Sequence, residues 1–376
     1  MNIHPIYSLP DMPFCIGACA HPVNPDPLPS TFPIELCINK DIGRLELSNN
    51  GTLDRLLKSA YSLGIEMGTP SDNTDLGKPY VMDFVAFIGE FNKHKGRALE
   101  IGAGAGFLSR TLLENGWDVD SIEPGIGYER HWEKHGVKVI NEFFPSPLAN
   151  GPYDLIVFYT VLEHIKDTRS FLMNVAKHLA LKGRIILSVP DCSLEIETGD
   201  PSMLLHEHFQ YFTPSTLKRT LLEAGFDAVI RHSNFGRSIY ACATLGESKV
   251  NFGIPEKELS AFYGYAEKVS LLRTKFQEQV ASLLDYGTVG IYCPSRALAL
   301  LSSLHEVRFF DDAAALHGKY YPPFQARIES RDELVRNPPA VLFIMTRTFG
   351  VKLFEKLKPL LPQTRILQVE EICHDL

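Results

Sequence analysis

The chain has 376 residues, a formal net charge of -8 at pH 7, 45% hydrophobic and 22% charged residues. That length accommodates about two to three domains with sizeable cores. The acidic balance argues against a nucleic-acid partner, which calls for a basic stripe, and no apolar run approaches the ~20 residues of a membrane helix. Met1 to Ala20 lacks a basic leader and is broken by Pro5, Pro10, Asp11 and Pro13, so no signal peptide is expected. Seven scattered cysteines, an odd number, argue against a disulfide framework and for a reducing, cytoplasmic setting.

In chain order, Met1 to about Asp41 is proline-rich and reads as a loop-dominated lobe. Leu53 to about Phe91 has helical character, interrupted by the polar stretch Gly68 to Gly77. From Arg97 the pattern changes to short apolar runs alternating with amphipathic segments. Strands are expected at Ala98–Ile101, Val119–Ile122, Val137–Ile140, Leu155–Phe158 and Arg184–Val189, with helices at Leu108–Asn115 and Phe171–Leu179. That alternation is the pattern of a parallel sheet covered by helices.

Beyond Phe252, Leu259, Phe262, Ala266, Val269, Phe276, Val280 and Leu283 recur at helical spacing. Unbroken from Glu256 to Leu283, such a helix spans about 42 Å, enough to bridge two lobes. Val289–Cys293, Val307–Phe310, Ala340–Met345 and Ile366–Val369 then read as buried strands of a second α/β unit. The expected fold class is α/β. A parallel-sheet core is expected at 71–250, a loop-rich N-terminal lobe at 1–70, and a second α/β unit at 251–376.

Ala98 to Phe107 reads as a strand running into a glycine turn and then a helix. Gly102, Gly104 and Gly106, with Ala103 between the first two, let the backbone turn sharply and approach a ligand closely. In open α/β sheets this first turn is a ligand site. The spacing is G-x-G-x-G, and Phe107 stands where the dinucleotide fingerprint needs its last glycine. A pyrophosphate cofactor is therefore disfavoured, and with it a nicotinamide oxidoreductase. Glu100, two residues before the turn, is placed to reach an ammonium group. Glu123, ending the next strand, is placed to accept ribose hydroxyls.

Glu100 to Gly106 and the acidic Glu123 resemble the first two motifs of the class I S-adenosylmethionine-dependent methyltransferases. Tyr153 to His164 and Gly183 to Pro190 are similar to the fourth and fifth strands of that family. The resemblance implies S-adenosyl-L-methionine as cofactor and S-adenosylhomocysteine as product. It also implies Glu142 and Phe143 near the adenine and Thr160 near the methionine part. Glu163 and His164 read as a helix-start pair without chemistry.

Leu204 to Lys218 lies beyond the fifth strand, with Thr213 or Ser215 capping a helix that runs to Ala224 and closes at Gly225. Ahead of the cap come His206, Glu207 and His208. In an extended chain the two histidines share a face opposite Glu207. No third ligand is evident nearby, so no metal is expected. His206 reads as structural, whereas His208 is expected to take a proton, since histidine as a residue type ordinarily titrates near neutral pH and suits proton abstraction.

His206 to Leu217 resembles the sugar C-methyltransferase family, whose members methylate nucleotide-linked keto-deoxysugars. Val307 to Asp312 and His317 to Pro322 are similar to segments of that family's C-terminal Rossmann-like domain. The resemblance implies that Glu207 and His208 supply the general base, for a small-molecule acceptor such as a nucleotide sugar. Three departures stand out. Leu205 takes the place of a tyrosine, and Tyr292 to Arg296 replaces a glycine-rich loop. Cys15, Cys19 and Cys37, with Ile42 at the remaining position, do not make the zinc site of the family's N-terminal lobe, so zinc is not expected. O- or N-methylation of another small molecule, and a cofactor-binding member without catalysis, remain alternatives.

Overall fold

The computed structural model describes residues 3–14, 17–48, 51–63, 78–91, 94–246, 253–301, 306–347, 349–368 and 371. The N-terminal lobe is a sheet rather than a loop region. It contains β1 (Ile3–Leu9), β2 (Ile34–Asn39) and β3 (Arg44–Leu47), paired antiparallel in that order. Pro5 is tolerated because β1 lies at the sheet edge, where the register shifts between Pro5 and Tyr7. The proline count concealed β2, whose Ile34, Leu36 and Ile38 point into the core. Helix α1 (Thr52–Ser62) packs Leu53, Leu57 and Ala60 onto the same core. The stretch Gly68 to Gly77 lies outside the described residues.

The middle of the chain follows with α2 (Lys78–Phe91), β4 (Arg97–Ile101), α3 (Phe107–Glu114), β5 (Asp118–Ile122), α4 (Glu129–His135) and β6 (Val139–Ile140). Then come β7 (Tyr153–Tyr159), α5 (Thr168–His178), β8 (Leu179–Pro190), α6 (Ser193–Thr198), β9 (Gln210–Tyr211), α7 (Pro214–Glu223), β10 (Phe226–His232) and β11 (Ser238–Leu245). Seven of these strands form one sheet in the order β10-β11-β8-β7-β4-β5-β6. The run from β8 to β6 is parallel, and β11 is antiparallel to both its neighbours.

Alternation along each strand feeds two different cores. Leu99, Ile101, Ile156 and Phe158 pack on one face, and Ala98, Leu155 and Val157 on the other with Phe84, Phe87 and Leu112. Burial on both faces is why these strands read as continuous apolar runs. Chain order reverses between β4 and β7, and such a switch point opens a crevice at the carboxyl ends of the strands.

β9 belongs to the N-terminal sheet, with Tyr211 opposite Leu45 on β3, so the segment holding His206 to His208 runs from one sheet to the other. Helix α7 begins where Thr213 and Thr216 form a reciprocal capping box with Pro214 in the first turn. Helix α8 (Glu256–Leu284) is unbroken over 29 residues, about 44 Å at the α-helical rise. Its first half places Phe262, Tyr265 and Val269 in the N-terminal core. Its second half places Leu272, Phe276 and Val280 against the third sheet.

That sheet contains β12 (Val289–Tyr292), β13 (Arg308–Phe310), β14 (Ile328–Glu329), β15 (Val341–Ile344) and β16 (Arg365–Gln368). All pairings are parallel, in the order β14-β13-β12-β15-β16, a second Rossmann-like arrangement. Buried Asp200, in the loop after α6, accepts from Arg347 Nε at 2.7 Å, and its carbonyl accepts from the Tyr265 hydroxyl at 3.1 Å. One residue, through its carboxylate and its backbone carbonyl, thus ties the segment after α6 to the third sheet and to α8. No helix among the described residues is long and apolar enough to cross a membrane.

Candidate active site

Four neighbouring parallel strands end at one edge, and each is followed by expected site residues. Gly102 to Gly106 follow β4, Glu123 follows β5, Glu142 and Phe143 follow β6, and Thr160 follows β7. Gly102, Gly104 and Gly106 all have positive φ, at 79°, 49° and 83°. The Gly102 and Ala103 amides donate to the Ile122 carbonyl, folding the turn over the end of β5. A Cβ on Gly102 would stand 2.5 Å from Val161 Cγ2, whereas one on Gly104 would meet nothing within 4 Å. Gly102 is therefore needed for packing, and Gly104 faces open space.

The Gly104 amide donates to Glu123 Oε2 at 2.8 Å, and the Gly125 amide to Glu123 Oε1 at 2.6 Å. Trp132 Nε1 donates to the Gly104 carbonyl at 2.7 Å, bracing the turn from α4. Glu100 is 2% exposed and accepts from Ser109 Oγ on α3, so its carboxylate lies beneath the turn. Glu142 is exposed and accepts from Ser146 Oγ, and Phe143 is 70% exposed beside it. Thr160 has φ 54°, unusual for a β-branched residue, and its amide donates to the Ser188 carbonyl at 2.9 Å.

His206 and His208 do not share a face, because His206 and Glu207 form a turn rather than an extended strand. His206 is buried against Phe14 and Phe32, and its Nε2 donates to the Phe32 carbonyl at 2.8 Å. Burial pulls its pKa down to about 4. His208 instead packs edge-on against His164, ring centroids 4.9 Å apart. Burial, then the nearby His164 and Arg296, push His208 well below the ordinary histidine range.

The backbone on both sides of His208 is held by the one-turn 3-10 helix Leu162–His164 that follows β7. His164 Nδ1 donates to the Glu207 carbonyl at 3.0 Å, and the Phe209 amide donates to the Glu163 carbonyl at 2.8 Å. Glu207 is 5% exposed, its pKa raised by burial. The Tyr61 hydroxyl, arriving from α1, donates to Glu207 Oε2 at 3.3 Å.

Tyr61 had no local signal, being 146 residues from its partner. The pair Glu163 and His164, read from the sequence as a bare helix start, stands beside His208. Ligand atoms of Glu163, His164 and His208 all lie within 4.8 Å of one another, a donor set that could hold a metal ion. The expectation that no further ligand stands near His208 was therefore wrong. Two of them come from a turn distant in sequence.

In the N-terminal lobe, Cys15 lies outside the described residues. The Cys37 thiol donates to the Glu46 carbonyl at 3.4 Å, and that of Cys19 to Asn24 Oδ1 at 3.5 Å. Burial pushes the Cys37 thiol up to about 12.

Residues 77–230 match a family model described as a methyltransferase domain. Together with the sheet order and the glycine turn, this makes the middle of the chain a methyltransferase domain of the Rossmann-like class. The chain is 26% identical over 145 residues to the ubiquinone biosynthesis O-methyltransferase of Rickettsia canadensis, covering 34% of this chain and 61% of that protein. It therefore spans about three fifths of that relative's length. It is also 21% identical over 309 residues to the C-methyltransferase NovU of Streptomyces niveus, covering 72% of this chain and 74% of NovU. The solved DhpI–SAH complex aligns with a TM-score of 0.39 at 18% identity, over 54% of this chain and all of that one.

Proposed function

We propose that the chain transfers a methyl group from S-adenosyl-L-methionine to a small-molecule acceptor, a carbon of a nucleotide-linked keto sugar. The observation that carries this reading is the glycine turn of a methyltransferase domain facing open space at Gly104, with the Glu123 carboxylate at its rim. A carboxylate there can accept ribose hydroxyls while still holding two backbone amides, since its oxygens together offer about four acceptor sites. Exposed Phe143, on the next loop, offers an apolar face for an adenine. S-adenosylmethionine bound in that turn supplies a methyl group already activated on a sulfonium, so the chain's own residues have to align the acceptor and deprotonate it.

His208 is the acceptor-side base in this reading. Its depressed pKa keeps the ring neutral, with a lone pair free to take the proton alpha to the acceptor carbonyl. Glu207, capped by Tyr61, holds the segment in place through the His164 bond to its carbonyl. NovU, whose name states C-methylation, aligns with far more of the chain than the domain alone, and this favours carbon over oxygen as the acceptor atom. The test is incubation of the purified chain with S-adenosylmethionine and a panel of nucleotide-linked keto sugars. A methylated sugar carbon with matching S-adenosylhomocysteine release is expected. Methylation confined to oxygen or nitrogen acceptors overturns the carbon assignment.

A further inference from the structure

Glu163 has no part in the base reading, yet it is 1% exposed, and its carboxylate oxygen Oε2 has no hydrogen-bond partner among the described residues. A buried carboxyl left in that condition is costly, so its place beside two imidazoles needs a reason. Its other oxygen, Oε1, lies 4.0 Å from His164 Nε2. His164 Nδ1 donates to the Glu207 carbonyl, which can only accept, so the Nε2 lone pair is left on the Glu163 side. A backbone carbonyl that holds one ring nitrogen and frees the other is how proteins orient a metal-binding imidazole. His208 completes the group, with ligand atoms of all three residues within 4.8 Å of one another.

We propose that Glu163, His164 and His208 bind one divalent cation of the zinc class. Two imidazole nitrogens and one carboxylate oxygen suit zinc, whereas calcium and magnesium prefer oxygen ligands throughout. Zinc bonds of about 2.0–2.2 Å require the three atoms to close up by roughly an ångström. Both rings are only partly buried, which leaves them room to do so. Three protein ligands leave one tetrahedral position open. Resting on the reading of His208 as the acceptor-side base, occupancy of the site switches that base off. A neutral imidazole has one lone pair, and it serves either the cation or the proton of the acceptor.

The test is a zinc titration of the untagged full chain, read by competition with a chromogenic chelator, for wild type and Glu163→Gln. One zinc per chain is expected, with affinity falling at least about tenfold in Glu163→Gln and S-adenosylhomocysteine affinity unchanged. No zinc uptake, or equal zinc affinity in the two proteins, overturns the site. X-ray absorption of the zinc-loaded wild type needs no variant and covers the case in which Glu163→Gln does not fold. Nitrogen and oxygen neighbours alone are expected there, and sulfur neighbours would move the ion to cysteines and overturn the site. Turnover with the acceptor found in the sugar panel is expected to stop at one zinc per chain and return with chelator. Zinc bound here without loss of turnover overturns the silencing. The binding and absorption measurements use no acceptor, so their failure is separate from that of the base reading, which fails if His208 variants keep turnover.

Discussion

The Gly104 amide and the Glu123 carboxylate form a 2.8 Å hydrogen bond that joins the turn after β4 to the acid after β5. The same carboxylate takes the Gly125 amide, so one side chain fixes the loops of two adjacent strands. Glu123→Gln leaves only one accepting oxygen. The affinity for S-adenosylhomocysteine is expected to fall roughly 10- to 100-fold, the worth of a charge-assisted hydrogen bond. Calorimetry on both proteins measures it, and equal affinities would remove Glu123 from the cofactor site.

The glycines of the turn are separable by experiment. Gly102→Ala puts a Cβ 2.5 Å from Val161 at a positive φ, and is expected to cost about 1–3 kcal/mol of stability. Gly104→Ala meets no neighbour and carries only the backbone cost of about 1–2 kcal/mol, but it projects into the proposed ligand space. Thermal melts should therefore separate the two, with Gly102→Ala the less stable. Gly104→Ala should lose more cofactor affinity than its small change in Tm suggests. Equal melting temperatures for the pair contradict this division of labour.

His206 is neutral in the folded chain at pH values where an unfolded histidine is charged. Its folded pKa of about 4 lies below the ordinary 6.5, so protons bind preferentially to the unfolded state. The stability at stake is present above pH 6.5 and is lost as the pH falls toward 4, to about 3 kcal/mol in total. His206→Gln, which can still donate to the Phe32 carbonyl, should show a shallower loss of Tm across that window. Glu163 and Glu207 titrate in both proteins and cancel in the difference. Identical acid slopes would show that His206 does not govern the effect.

His208→Asn is expected to reduce turnover by roughly two to four decades while S-adenosylhomocysteine affinity stays within about twofold of wild type. Steady-state kinetics with the acceptor found in the sugar panel, beside a binding titration, checks both halves. Wild-type turnover in this variant would take His208 out of the mechanism.

The parallel core was legible because Leu155 to Phe158 and Ile185 to Leu187 are buried on both faces and so carry unbroken apolar runs. The long helix was legible from its apolar spacing, which places Phe262 to Val280 on one stripe shared by two cores. Local rules also located the Thr213 cap and the glycine turn. What they missed was produced by pairing at a distance. β2 stays in place through β1 and β3, and β9 leaves its neighbours in sequence to pair with Leu45. The same cause hid half of the acceptor side. Tyr61, Glu163 and His164 reach Glu207 and His208 only after three separate segments fold together, and no spacing along the chain announces that.

The central claim is that the turn from Gly102 to Gly106 receives S-adenosylmethionine rather than a dinucleotide. Titration calorimetry of the full chain with S-adenosylhomocysteine and, separately, with NAD tests it most directly. Saturable binding of one S-adenosylhomocysteine per chain and no heat with NAD is the predicted result. Saturable NAD binding with none for S-adenosylhomocysteine would contradict it.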